Sequence, residues 1–220
     1  MANLLYTAVL DEIESKIKAG ILVENERLPA ERQMAENYGV SRTVIREALK
    51  ILQEKGFVRM ITGRGNFIRI PKEEDLIDKF ETAIDNSGIT QKDIIEAREI
   101  IEIAISQRVI SRVLDEDIDR LKKLYREMRD HFGNSEYYAR LDAEFHLQLA
   151  GCTKNNALKM ITAALNNVTD RNVISNDIKI RKNAHREHLA IIKAIEKRDN
   201  KKLEEAIIQH IQCFSKYVLE

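Results

Sequence analysis

Tryptophan is absent from this chain, and proline and cysteine occur only twice each. So few helix breakers, with eight glycines, exclude a loop-rich or collagen-like chain and point to a mainly helical protein. Two cysteines cannot make a disulfide scaffold, and no secretory signal is visible. Cys152 and Cys213 therefore read as free, reduced core thiols of a cytoplasmic protein. No apolar run approaches the roughly 20 residues a membrane span needs. The opening stretch MANLLYTAVLDEIESKIK is amphipathic and acidic within its first dozen residues, which excludes a signal peptide. Net charge is also missing: 36 basic residues face 36 acidic ones, so the total suggests no nucleic-acid partner. What remains is ample apolar content, 44% of 220 residues, enough for one large or two small domains.

The zero hides an asymmetry. Between Ser41 and Pro71 stand seven basic residues and only two acidic ones, a net of +5. Such a patch attracts phosphates whatever the overall charge. It lies in a recognisable context. Leu5, Val9, Ile13 and Ile17 form a helical stripe ended by Gly20. Ile21 to Leu28 reads as a short connection, and Pro29 opens the next helix near its first turn. Met34, Ala35 and Tyr38 face inward there, and Gly39 stops it. Ser41 caps a third helix, whose buried face is Val44, Ile45, Ala48, Leu49 and Leu52. Arg27 to Leu49 is thus a helix-turn-helix, whose second helix enters the DNA major groove.

Two short apolar runs, Phe57–Ile61 and Asn66–Ile70, flank Thr62-Gly63-Arg64-Gly65 and predict a β-hairpin wing. Arg42 and Arg46 share one face of the recognition helix, with Thr43 beside them. Arginine pairs bidentately with guanine O6 and N7. Arg32 on the preceding helix is placed for a phosphate or a base. The competing reading is a solvated surface on which these arginines pair with Glu31, Glu36 and Glu47.

After Pro71-Lys72-Glu73-Glu74 strand signals vanish. Helical patterns follow at about 75–86, 91–113, 115–132, 135–150, 155–174, 178–197 and 199–218. The organisation predicted is a head over residues 1–71, a linker and connecting helix over 72–90, and an all-α bundle of six or seven helices over 91–220. In the bundle, Asp142 and His146 lie four apart on one helix face. His188 and His210 stand equally far from the turn at Asp199-Asn200, about 16 Å along each helix, so an antiparallel hairpin sets them level. One carboxylate and three imidazoles suit Zn²⁺ first, then Ni²⁺, Co²⁺ or Mn²⁺. Spacing alone leaves a second reading open, that these are surface residues. His131 and His185 lack level partners and read as surface or helix-end residues.

LPAER, GVSRTVIREAL and GRGNFI make residues 4–70 resemble the winged-helix domain of the GntR transcription regulators. Glu24-Asn25 departs from the family's usual Pro-Gly before LP, and asparagine is the residue that best replaces glycine at positive φ. The resemblance implies that Arg32, Arg42 and Arg46 contact DNA, with Ser41, Thr43 and the wing tip Gly63, Arg64 and Gly65 assisting. It also implies a homodimer on a palindromic operator. Residues 92–216 resemble the FCD effector domain of the FadR subfamily through Arg98-x-x-x-Glu102, Asp142-x-x-x-His146, Asn155, His188 and His210. In metal-containing members the aspartate and three histidines hold a divalent ion. The acyl-CoA-binding branch lacks the full set. Arg98 is then the anchor for a small carboxylate effector, and its alternative is a salt bridge to Glu102. Asn155 reads as a helix N-cap with a supporting role at the effector, and Arg171 as a further pocket residue. No HExxH or nucleophile motif supports the rival reading, a metal-dependent hydrolase. A second rival, an architectural DNA-binding dimer, leaves the histidines unexplained.

Overall fold

The computed structural model describes residues 2–169 and 177–219 and divides into two compact units, Met1–Leu76 and Ile77–Glu220. The first unit opens with α1 (Ala2–Lys18), α2 (Glu31–Tyr38) and α3 (Arg42–Lys55). Val9, Ile13 and Ile17 of α1 are buried against Met34, Ile45 and Leu52, while Leu5 at the head of the stripe stays exposed. Helix α2 starts later than its proline suggests. Its N-cap is Ala30, so Pro29 lies outside the helix. Gly39 ends α2 at φ 64°, in the left-handed region where glycine meets no Cβ penalty. Ser41 Oγ then accepts the amide of Val44 at 3.3 Å and starts α3.

The wing is a two-stranded antiparallel hairpin of β1 (Val58–Ile61) and β2 (Gly65–Ile68), with Val58 opposite Ile68. Val58 and Ile68 point into the core. The segment read as a mere connection does more. Its backbone lines the free edge of β2: Leu28 N–H donates to Asn66 at 2.9 Å, and Ile68 N–H to Glu26 at 2.8 Å. Asn25 leads into this edge at φ 67°, the positive value expected of a glycine substitute.

Helix α4 (Glu73–Asp85) carries the division between the units. The second unit continues with α5 (Gln91–Val109), α6 (Asp115–Asp130), α7 (Ser135–Gly151), α8 (Asn156–Val168), α9 (Ile178–Glu196) and α10 (Asn200–Leu219). Helices α9 and α10 pack as the predicted hairpin, α10 also lies on α5, and α7 packs on α6 and α8. Tyr138, Phe145, Leu121, Met128 and Ile191 are fully buried at the centre. Helix α8 ends at Val168, where Thr169 turns extended at ψ 130°, and the rest of the helical span expected to 174 lies outside the described residues. Cys152 is buried in this core, where the apolar surroundings push its thiol up to about 12. The chain is mainly helical, and among the described residues no helix is long and apolar enough to cross a membrane.

Candidate functional site

Two places in the molecule gather chemistry, one in each unit. In the first, α3 presents Arg42 and Arg46 to solvent with side chains 59% and 61% exposed. Both reach back to one oxygen of Glu31 on α2: Arg46 Nε at 2.7 Å and Arg42 Nη2 at 3.7 Å. Arg32 lies 3.7 Å from Glu36. The pairing expected of a solvated surface is therefore partly real. Exposed pairs of this kind contribute about 0–1 kcal/mol, little enough for a phosphate or a base to displace them. Thr43 and Arg64 are exposed as well. Gly63 and Gly65 sit at φ 74° and 105°, which lets the wing tip turn tightly. A Cβ on Gly65 would come within 3.4 Å of Arg27, so a further basic side chain rests against the tip.

In the second unit four helices converge on a buried polar centre. His146 from α7, His188 from α9 and His210 from α10 each offer a ring nitrogen, and those atoms lie within 4.8 Å of one another. His146 Nε2 and His210 Nε2 are 3.1 Å apart. The level pairing predicted from spacing holds, with the His188 and His210 ring centroids 4.7 Å apart. Asp142, one turn before His146, has Oδ1 3.5 Å from His188 Nε2. His188 is wholly buried, and neither of its nitrogens has a hydrogen-bond partner among the described residues. A buried polar atom without a partner carries a desolvation cost, and a bound cation would remove it. The donor set thus fits a divalent ion of borderline softness.

Electrostatics differ ring by ring. Burial, aided by the neighbouring His210 and His146, holds His188 well below the usual imidazole range. Burial also works against charge on His210, but the hydrogen bond to Glu187 and the carboxylates of Asp142 and Glu102 lift it above. Glu102 is buried too, yet His146 and Arg98 outweigh that burial and hold it ionised well below the carboxylate range. Beside the centre lies a narrow recess lined by Ile95, Arg98, Asp142, His210, Ile211 and Phe214, with room for little more than a water molecule. Arg98 is buried in its wall and paired with Glu102 at 2.9 Å.

Comparison with known proteins settles the family. The FCD domain model matches residues 93–212, and that of the bacterial regulatory proteins of the gntR family matches residues 5–68. The chain belongs to the GntR family. It is 30% identical to the Exu regulon transcriptional regulator of Escherichia coli over 71% of its own length and 60% of that protein's, so it spans less than two thirds of that relative. It is 27% identical to the transcriptional repressor NanR of Cronobacter sakazakii over 92% of its length and 81% of that relative's. Among solved structures, Streptococcus agalactiae GntR superposes with a TM-score of 0.67 at 23% identity, over 98% of this chain and 99% of that one, which speaks for a shared fold. The family and these relatives are transcription regulators, not enzymes.

Within this GntR-family chain, the remaining expected residues fall in varied places. Asn155 caps α8, its Oδ1 accepting the amides of Ala157 and Leu158 at 3.0 and 3.3 Å, and it does not line the recess. Arg171 lies outside the described residues. His131 ends α6, as expected. His185 is not a surface residue: it is buried, stacked on Tyr125 at 3.9 Å and edge-on to Phe132. Two residues went unread as histidine partners. Glu102 Oε2 is 2.9 Å from His146 Nδ1, close but poorly aligned for a linear hydrogen bond. Glu187 Oε2 is 2.8 Å from His210 Nδ1. Glu187 directly precedes His188 in the level hairpin, a clue that spacing alone contained.

Proposed function

We propose that the chain is a cytoplasmic homodimeric repressor that reads a palindromic DNA operator and releases it in response to a small carboxylate bound beside a divalent metal ion. In this reading α3 enters the major groove, where Arg42 and Arg46 pair with base edges and Thr43 adds a contact. Arg32, the cap at Ser41 and the wing tip Gly63, Arg64 and Gly65 hold the flanking backbone. Residues 72–90 join this head to the effector half. Supporting the DNA reading are the exposed arginines of α3 in a chain whose family regulates transcription.

The observation that carries the effector half is the convergence of His146, His188 and His210 beside a recess that Asp142 and Arg98 also line. Asp142, His146, His188 and His210 would hold the ion, with Zn²⁺ favoured by three nitrogen donors. When bound, the ion supplies a Lewis-acid anchor for one carboxylate oxygen. Arg98 offers its guanidinium fork from the recess wall. A coupling of about 1–3 kcal/mol between this centre and the DNA heads suffices to change operator occupancy.

The test is a gel-shift titration at fixed salt on a selected operator. Arg46→Ala should abolish specific binding while the protein keeps its metal content and its mass in solution. Operator affinity equal to wild type would defeat the DNA reading. A wild-type chain that takes up no zinc, nickel, cobalt or manganese would defeat the metal reading.

A further inference from the structure

Each ring at the metal centre has a second nitrogen facing away from it, and two of those outer atoms meet a carboxylate. His210 Nδ1 is hydrogen-bonded to Glu187 Oε2 at 2.8 Å, and His146 Nδ1 makes a charge contact with Glu102 Oε2 at 2.9 Å whose angle is too poor for a hydrogen bond. The opposite atoms of the same rings, the two Nε2, face one another at 3.1 Å. A neutral imidazole carries a single proton, and a carboxylate offers only acceptor atoms. A carboxylate at Nδ1 therefore draws the proton there and leaves the Nε2 lone pair free to ligate.

We propose that Glu102 and Glu187 are positioning residues of the metal site, each fixing the tautomer and ring plane of one ligand histidine. This rests on the metal reading above and deepens it. The two carboxylates differ in setting. Glu102, on α5, is buried, and its other oxygen receives Arg98 Nε at 3.3 Å and Nη2 at 2.9 Å. Arg98, Glu102 and His146 thus form a chain from the recess wall to the centre. Glu187, on α9, sits at the edge of an open groove between α9 and α10, beside Asn183, Arg186 and Gln209. His188 supplies the contrast. Its Nδ1 has no partner among the described residues, and its nearest ring neighbour is Phe145 at 4.3 Å. Two ligand rings are aimed by charge and the third by packing.

The experiment uses the full chain stripped with EDTA and titrated with Zn²⁺ against a chromogenic chelator. Glu187→Gln and Glu102→Gln should each weaken zinc affinity about 10–100-fold, the effect typical of losing an outer carboxylate. Glu187→Gln keeps the size of the side chain and an acceptor oxygen, so the stripped variant should fold, and its circular dichroism spectrum should match wild type. Should Glu102→Gln fail to fold, Glu187→Gln still decides. Long-range ¹H–¹⁵N spectra of the zinc-loaded protein add a signature that a merely structural role would not move. Nδ1–H of His210 should be sharp in wild type and broadened by exchange in Glu187→Gln. His188→Ala, which removes a ligand, is the reference for a lost site. If His188→Ala loses zinc while both glutamine variants bind as wild type, the inference is overturned and the metal site stands. If wild type binds no zinc, the metal reading itself is overturned, and this inference with it.

Discussion

Replacing His188 with leucine should make the stripped protein more stable. His188 is fully buried, both of its nitrogens lack hydrogen-bond partners among the described residues, and Asp142 Oδ1 stands 3.5 Å away, too far for a strong bond. An orphaned buried polar group costs about 1–3 kcal/mol, whereas an apolar side chain of similar size incurs no such cost. Leucine should also keep packing against Phe145. With chelator present, the gain of about 2 kcal/mol corresponds to roughly 4–8 °C for a domain of this size. Zinc should reverse the order. At a hundredfold excess over its dissociation constant, a ligand stabilises the native state by about 2.7 kcal/mol, and the variant has lost a ligand residue. Differential scanning calorimetry in EDTA and then in zinc reads both effects. A variant that melts below wild type in EDTA would refute the argument, because His188 would then be contributing stability without any ion.

Other outcomes follow from single side chains. His185 is held down to about 4, by burial first and then by Arg129, against about 6.5 in an unfolded chain. The unfolded state therefore takes up the proton first, and this residue's contribution to stability is lost as pH falls from 6.5 to 4, at up to about 1.4 kcal/mol per pH unit. His185→Phe should flatten that part of the melting-temperature profile, and an unchanged slope would exclude His185 as its source. Asn155→Ala should cost about 1 kcal/mol through the lost cap on α8 and leave zinc affinity unchanged. A large loss of zinc affinity instead would place Asn155 at the centre.

Much of this molecule was legible because its signals are local. Gly39, Ser41 and Gly56 punctuate α2 and α3 where the sequence predicts, since caps depend on neighbours within a turn. The level setting of His188 and His210 was also readable, because a short turn between two helices converts sequence distance into height. What escaped depends on neighbours remote in sequence. Glu102 looked like a salt-bridge partner four residues from Arg98, and it is one, but its second oxygen meets a helix more than forty residues away. His185 reads as a surface residue, and only the rings of Tyr125 and Phe132, remote in sequence, account for its burial. The strand edge at Asn25–Leu28 carries no alternation to betray it, being held by backbone groups rather than side chains.

The shared oxygen of Glu31 has a consequence for how the head meets its target. A single acidic residue occupies both Arg42 and Arg46 in the free protein. On the proposed reading, the operator does not capture two wandering side chains. It exchanges one anion for another at arginines whose direction is already set, so less rotamer freedom is lost on docking. Glu31 also acts as a resident competitor. Phosphate charge alone can displace so weak a pair, but only bases with acceptors where the two guanidinium groups point repay the exchange in full. Discrimination then begins inside the protein, in the contest between its own carboxylate and the bases.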